Sequence, residues 1–195
     1  MRDTDTILCP ATALLKDATT AAHRDVEAQP LMAALMADTV SADIYCRVLD
    51  AFAAYHALWE PAIFKALSPH TNAAFLAVRE KHPLVSADLA GMNRPAPRPH
   101  PAGPLGLGDA LGRFYVQEGA TLGGRVISKH LARALPTALV KHTTYFNGYG
   151  PRTAAMWAES RQVIDNLCTD EDVRQAAVAG AQDAFAALKV CIQAA

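Results

Sequence analysis

The sequence predicts an all-α, single-domain protein, and three observations carry that prediction. Apolar residues recur at helical spacing through most of the chain, and no stretch of any length alternates apolar with polar residues as a half-buried strand does. Apolar residues make up 51% of the chain and charged ones 19%, the balance of a folded globular protein. At 195 residues the chain is near the upper size for one core. Residues 1–195 therefore read as one domain of roughly seven to nine helices.

Residues 1–11 read as a loose arm. Helical periodicity begins at about Thr12 and runs to Ala28, where the Gln29-Pro30 step ends it. Leu31 to Ala37 is apolar nearly all round and suits a short helix. Ser41 is the expected cap of a long helix, Ala42 to Leu67, with Asp43 in its first turn. Ile44, Val48, Phe52, Tyr55 and Trp59 keep its spacing, and Pro61 should kink or restart it. Thr71 is placed to cap a helix through Lys81, and Ser86 a short one through Met92. Pro95, Pro97, Pro99, Pro101 and Pro104 make residues 93–108 an extended connector within the domain.

From Asp109 to Leu135, the periodic residues Leu111, Tyr115, Leu122, Val126, Ile127 and Leu131 predict another long helix. Gly112, Gly119, Gly123 and Gly124 lie inside it, at a cost of roughly 3–4 kcal/mol in helix preference. Close helix packing or a break accounts for Gly112 or Gly119. The adjacent pair Gly123-Gly124 points further, because it removes two neighbouring side chains and permits a bend over something flat. Pro151 suits the first turn of a helix through Cys168. Thr169 with Asp172 approximates a capping box for a last helix to about Gln193, with Ala177, Phe185, Leu188 and Ile192 as its apolar face.

Composition excludes several function classes. A net charge of −1 provides no global basic field for nucleic acid or anionic lipid. The opening MRDTDTILCP lacks the apolar run of a signal peptide, and nothing approaches a membrane span, so cytoplasm is the expected compartment. Cys9, Cys46, Cys168 and Cys191 form no C-x-x-C pair; reduced thiols are expected, not a zinc site.

The stretch Leu14 to Ala28 holds the candidate site. Leu15, Ala18, Ala22 and Val26 form an apolar stripe, and Lys16, Thr19, His23 and Glu27 lie on an adjoining face. His23 and Glu27 stand one turn apart, where a carboxylate can accept one ring proton and raise the basicity of the other nitrogen. Lys16 lies two turns before His23, roughly 10 Å along the axis, which suits an anionic, metal-bearing flat ligand. Spacing alone equally describes an ordinary histidine with a solvated helix partner. His56 and Glu60 repeat the same geometry, and nothing around them matches a ligand pattern, so His56 reads as a packing or surface residue.

The run L-K-D-A-T-x-x-x-H-x-x-x-E, Leu15 to Glu27, resembles the proximal helix of the heme oxygenase family. Tyr115 to Gly124, Y-V-x-E-G-x-x-L-G-G, resembles the bacterial form of its distal helix. Phe146, Asn147, Tyr149, Gly150 and Trp157 resemble its aromatic turn and following helix. The resemblance covers nearly the whole chain and implies a helical bundle with heme between a proximal helix and a glycine-kinked distal one. It implies that His23 ligates iron, that Glu27 supports His23, and that Lys16 pairs with a heme propionate. Thr19 and Gly119 join the cofactor-binding set, Tyr115 and Arg161 are candidate propionate contacts, and Gly123 and Gly124 shape the oxygen side. Many relatives carry an Asp that organises distal water where this chain has Ala120.

The implied activity is cleavage of heme b, at once cofactor and substrate, to biliverdin, carbon monoxide and ferrous iron. It needs dioxygen and an external electron donor of ferredoxin or reductase type. The distal form also resembles enzymes that supply biliverdin to a bacteriophytochrome. A heme storage or sensor protein would share the proximal motif without turnover. A thiamine-degrading hydrolase of similar fold is disfavoured by the lack of a cysteine beside paired carboxylates, and a di-iron bundle by the lack of a Glu-x-x-His repeat.

Overall fold

A computed structural model describes residues 9–195; the first eight residues of the expected arm lie outside the described part. Among the described residues there are nine α-helices and no strand. They are α1 (Ala11–Glu27), α2 (Pro30–Leu35), α3 (Ala42–Leu67), α4 (Ala73–Ala77), α5 (His82–Gly91), α6 (Leu107–Ala134), α7 (Thr144–Asn147), α8 (Thr153–Leu167) and α9 (Glu171–Ala194). Two 3-10 segments, Thr137–His142 and Gly150–Arg152, flank α7. No helix among them is long and apolar enough to cross a membrane.

The α6–α9 pair forms the spine, and glycine explains how closely the two helices approach. A Cβ at Gly108 or Gly112 would collide with the α9 backbone at Val173 or Ala177, and one at Gly180 with the α6 backbone at Asp109. The helix propensity lost at these glycines is thus offset by close packing, as expected for Gly112. Ala177, Ala181 and Ala184 are fully buried in the same seam.

Ser41 caps α3 as expected, its hydroxyl accepting the Ile44 N–H at 3.2 Å. Pro61 does not restart that helix, which is continuous to Leu67. Proline has no N–H for the carbonyl of Ala57, and that carbonyl instead accepts the His100 N–H at 2.9 Å. Ala102 donates likewise to Leu58 at 3.1 Å, so the proline-rich connector is stitched onto α3 where Pro61 frees it.

Three boundaries differ from expectation, each because another side chain takes the cap. Asn72 rather than Thr71 caps α4, accepting the Phe75 N–H at 2.7 Å, and α4 ends at Ala77. Ser86 lies inside α5, whose N-terminus is capped from a distance by Glu60, accepting the N–H groups of Lys81 at 2.6 Å and His82 at 3.1 Å. Asp170, not Thr169, caps α9 through the Asp172 N–H at 2.8 Å. Leu122 and Val126, part of the periodicity that predicts α6, are exposed.

Candidate functional site

On α1, Leu15 and Val26 turn into the core, as the apolar stripe predicts. His23 stands clear of it with 56% of its side chain exposed, and its Nδ1 lies 3.4 Å from Glu27 Oε2. The edge-on Phe185 ring of α9, 5.8 Å away, supports the imidazole from behind. Nδ1 is the ring nitrogen nearer the Glu27 carboxylate, and Nε2 is the one farther from it. Lys16 is exposed on the same helix and has no ion pair among the described residues. Thr19, placed by spacing on the same adjoining face as Lys16 and His23, is buried, and its hydroxyl donates to the Leu15 carbonyl at 2.7 Å. That leaves it a wall of the site rather than a donor to a ligand.

Tyr115 of α6 and Trp157 of α8 pack with ring centroids 5.4 Å apart, and the Arg161 guanidinium lies 5.8 Å from the Trp157 ring. Burial raises the pKa of the Tyr115 phenol; Asp17 of α1 adds to that rise and Arg161 opposes it. Asp17, Tyr115 and Arg161 thus lie within electrostatic reach of one another, and α1, α6 and α8 meet at one corner. Gly119 continues it, since a Cβ there would meet only the Trp157 ring at an ordinary 3.6 Å.

The glycine pair divides. Gly123 faces open space, with nothing within 4 Å of an added Cβ. Gly124 is buried against α7, where a Cβ would stand 2.9 Å from the Phe146 carbonyl oxygen. Packing therefore accounts for Gly124, and α6 is helical through both residues without a break. What α6 does present outward is an apolar stripe: Gly119, Leu122 (42% exposed), Gly123 and Val126 (62% exposed), spaced i, i+3, i+4, i+7. Ala120 is exposed beside it and contributes no polar group.

His56 is a packing residue. It is buried, its Nε2 lies 2.9 Å from the Tyr145 hydroxyl, and burial, reinforced by Lys81 and His82, pushes its pKa down to about 3. Glu60, one turn on, is raised to about 7 by burial, partly countered by the backbone N–H groups it accepts.

A buried ionic cluster behind the stripe has no counterpart in the sequence-based reading. Lys81 Nζ donates to Glu118 Oε1 at 2.7 Å and to the Tyr149 hydroxyl at 2.6 Å, and that hydroxyl donates to Glu118 Oε1 at 2.7 Å. The Ser160 hydroxyl donates to Glu118 Oε2 at 2.9 Å, and Arg79 Nε lies 3.4 Å from the same oxygen. Glu118 and Tyr149 both stand in the quoted motifs, so the signal was present, but spacing could not show that they meet.

No three His, Cys, Asp or Glu side chains among the described residues gather as a metal site. An iron atom held by a single imidazole, and otherwise by its own macrocycle, needs none. A half-exposed imidazole oriented by a carboxylate, an outward apolar stripe and cations at the rim fit such a group.

The sequence and the fold are similar to those of known heme oxygenases. The curated heme oxygenase of Xanthomonas campestris pv. campestris is 27% identical over 164 residues, covering 84% of this chain and 98% of that one. The fold is similar to the NO- and CO-bound heme oxygenase of Neisseria meningitidis, with a TM-score of 0.73 and 22% identity, covering 96% of this chain and 92% of that one. It is also similar to the heme oxygenase of Leptospira interrogans, at a TM-score of 0.70 and 16% identity over 96% of this chain and all of that one. The heme oxygenase family model matches residues 85–194, more than half of the sequence, and the chain belongs to that family.

Proposed function

We propose that this protein is a heme oxygenase that opens heme b to biliverdin, carbon monoxide and ferrous iron. The observation that carries the proposal is His23: an exposed imidazole with Nδ1 3.4 Å from the Glu27 carboxylate and Nε2 on the far side of the ring from it, in a chain of this family. When bound, heme supplies both the redox iron and the porphyrin that is cleaved, with dioxygen and external electrons consumed. The chain's own residues bind, orient and exclude. Glu27 holds the His23 ring in one tautomer. Lys16, Tyr115 and Arg161 supply a cation, a phenol and a guanidinium at the rim, where two carboxylates would fix in-plane rotation. Gly119, Leu122, Gly123 and Val126 offer an apolar face without bulk at its centre, and Gly124 keeps that face in place through α7.

Electrons must come from a second protein, of ferredoxin or reductase type. No Asp or Glu falls between Glu118 and Glu159, whereas Arg125, Lys129, Arg133, Lys141 and Arg152 in that span are all exposed. That cation-rich side supports an acidic donor. The bacterial form of the distal motif supports delivery of biliverdin to a bacteriophytochrome as the use of the product.

The test is reconstitution with hemin, followed by addition of a donor and oxygen and chromatographic identification of the pigment. Biliverdin from wild type and none from His23→Ala is the expected result. A stable heme complex that yields no bilin would sink the enzymatic reading in favour of storage.

A further inference from the structure

Glu118 touches none of the surfaces assigned above, yet it is fully enclosed, with 0% of its surface exposed. A carboxylate persists at that depth only when its lone pairs are filled. Its four partners come from three different segments: Arg79 and Lys81 between α4 and α5, Tyr149 after α7, and Ser160 of α8. The tether therefore fixes α6 at one residue, and that residue immediately precedes Gly119, where the outward apolar stripe begins. The stripe is also held further along, where the Gly124 backbone lies against the carbonyl of Phe146. Phe146 and Tyr149 belong to one tight turn, bent at Gly148 and Gly150, whose φ values are +51° and +55°. One turn thus grips both ends of a single outward-facing stretch. A network serving stability alone could be replaced by apolar packing, whereas this one specifies a position.

We propose that Tyr149 and Glu118, with Lys81, form a positioning clamp that sets the placement of Gly119–Gly124 over the heme face and so selects which meso carbon is cleaved. The proposal rests on the heme oxygenase reading. None of the three residues is catalytic in it, since all act through the α6 backbone.

Tyr149→Phe keeps the ring and removes only the hydroxyl; Glu118→Gln keeps the shape and removes the charge. Hydrogen exchange on the apo-protein is the first readout. Tyr149→Phe should speed exchange at Gly119–Gly124 by about tenfold over the α6 amides before Glu118, which α9 holds. The second readout is the biliverdin isomer ratio of the hemin-reconstituted protein. It should shift while the His23-ligated spectrum is kept, with Glu118→Gln shifting it in the same direction. If Glu118→Gln does not fold, Tyr149→Phe decides alone. Exchange that rises evenly along α6, or an unchanged isomer ratio in a normal heme complex, overturns the clamp and leaves the function standing. A wild-type protein that takes up no heme through His23 overturns both.

Discussion

Two histidine–glutamate pairs with identical spacing occupy α1 and α3, and they behave in opposite ways. His23 and Glu27 are mostly in solvent, 3.4 Å apart, with one ring nitrogen unengaged. His56 and Glu60 are buried, 3.8 Å apart; His56 Nε2 meets the Tyr145 hydroxyl, Glu60 accepts from the N-terminus of α5, and His56 Nδ1 makes no hydrogen bond among the described residues. Desolvation turns the second pair into neutral or nearly neutral packing, while exposure keeps the first available to a ligand. Exposure, not the carboxylate four residues on, separates the two: His56 also has an unbonded ring nitrogen, Nδ1, but it is buried.

The widest separation of the two pairs should come from removing the imidazoles. His23→Ala should abolish the imidazole-ligated heme spectrum and turnover, yet change the apo-protein's stability by less than about 0.5 kcal/mol. His56→Ala should cost about 2–4 kcal/mol by opening a cavity and stranding Tyr145, while the folded fraction still binds heme. Heme titration and denaturant melts of both variants check this; a reversed pattern would falsify the proximal assignment.

The glycine pair offers a similar contrast on α6. Gly124→Ala should destabilise by about 1–3 kcal/mol, because the new methyl meets the backbone oxygen of Phe146. Gly123→Ala should be neutral or stabilise by several tenths of a kcal/mol, since nothing opposes its Cβ and helix propensity favours it. Equal melting temperatures for the two would show that α7 gives way.

The carboxylates can be compared through pH. Glu60, raised from 4.5 to about 7, holds its proton longer in the folded than in the unfolded chain, so its protonation adds stability at low pH that is lost as pH rises through about 7. His56, lowered to about 3, works the other way: the unfolded chain takes up a proton below about 6.5 that the folded one refuses, and stability falls as pH drops. Between pH 4.5 and 6.5 the two slopes oppose one another. Glu60→Gln should therefore raise stability at pH 8 relative to wild type by on the order of 1–3 kcal/mol and leave pH 5 nearly unchanged. Glu27→Gln should weaken heme affinity about tenfold. Chemical denaturation at the two pH values checks the first, heme titration the second.

The smallest effect is expected at the rim. Lys16→Glu should lower heme affinity by a few-fold, or alter the biliverdin isomer mixture, without moving the melting temperature, because the side chain is exposed and makes no ion pair among the described residues. Unchanged affinity and isomers would remove Lys16 from the site.

Local chemistry in the sequence was enough to determine the helical class, the span of α3 with its Ser41 cap, the extended connector and the facing of His23. Periodicity, caps and proline act within a few residues, and those signals survive without a fold around them. What tertiary structure alone decided are matters of desolvation and of distant partners. Thr19 and Lys16 share a face by spacing, yet one is buried and the other free. Gly123 and Gly124 are neighbours, yet only one meets another backbone. Pro61 leaves a carbonyl unbonded in any helix, but only the packed connector brings His100 to it. Glu118 and Tyr149, 31 residues apart, become a single hydrogen-bonded unit only when α6 and the turn after α7 are packed together. Burial sets the worth of a charge, and burial is a property of the whole chain at once.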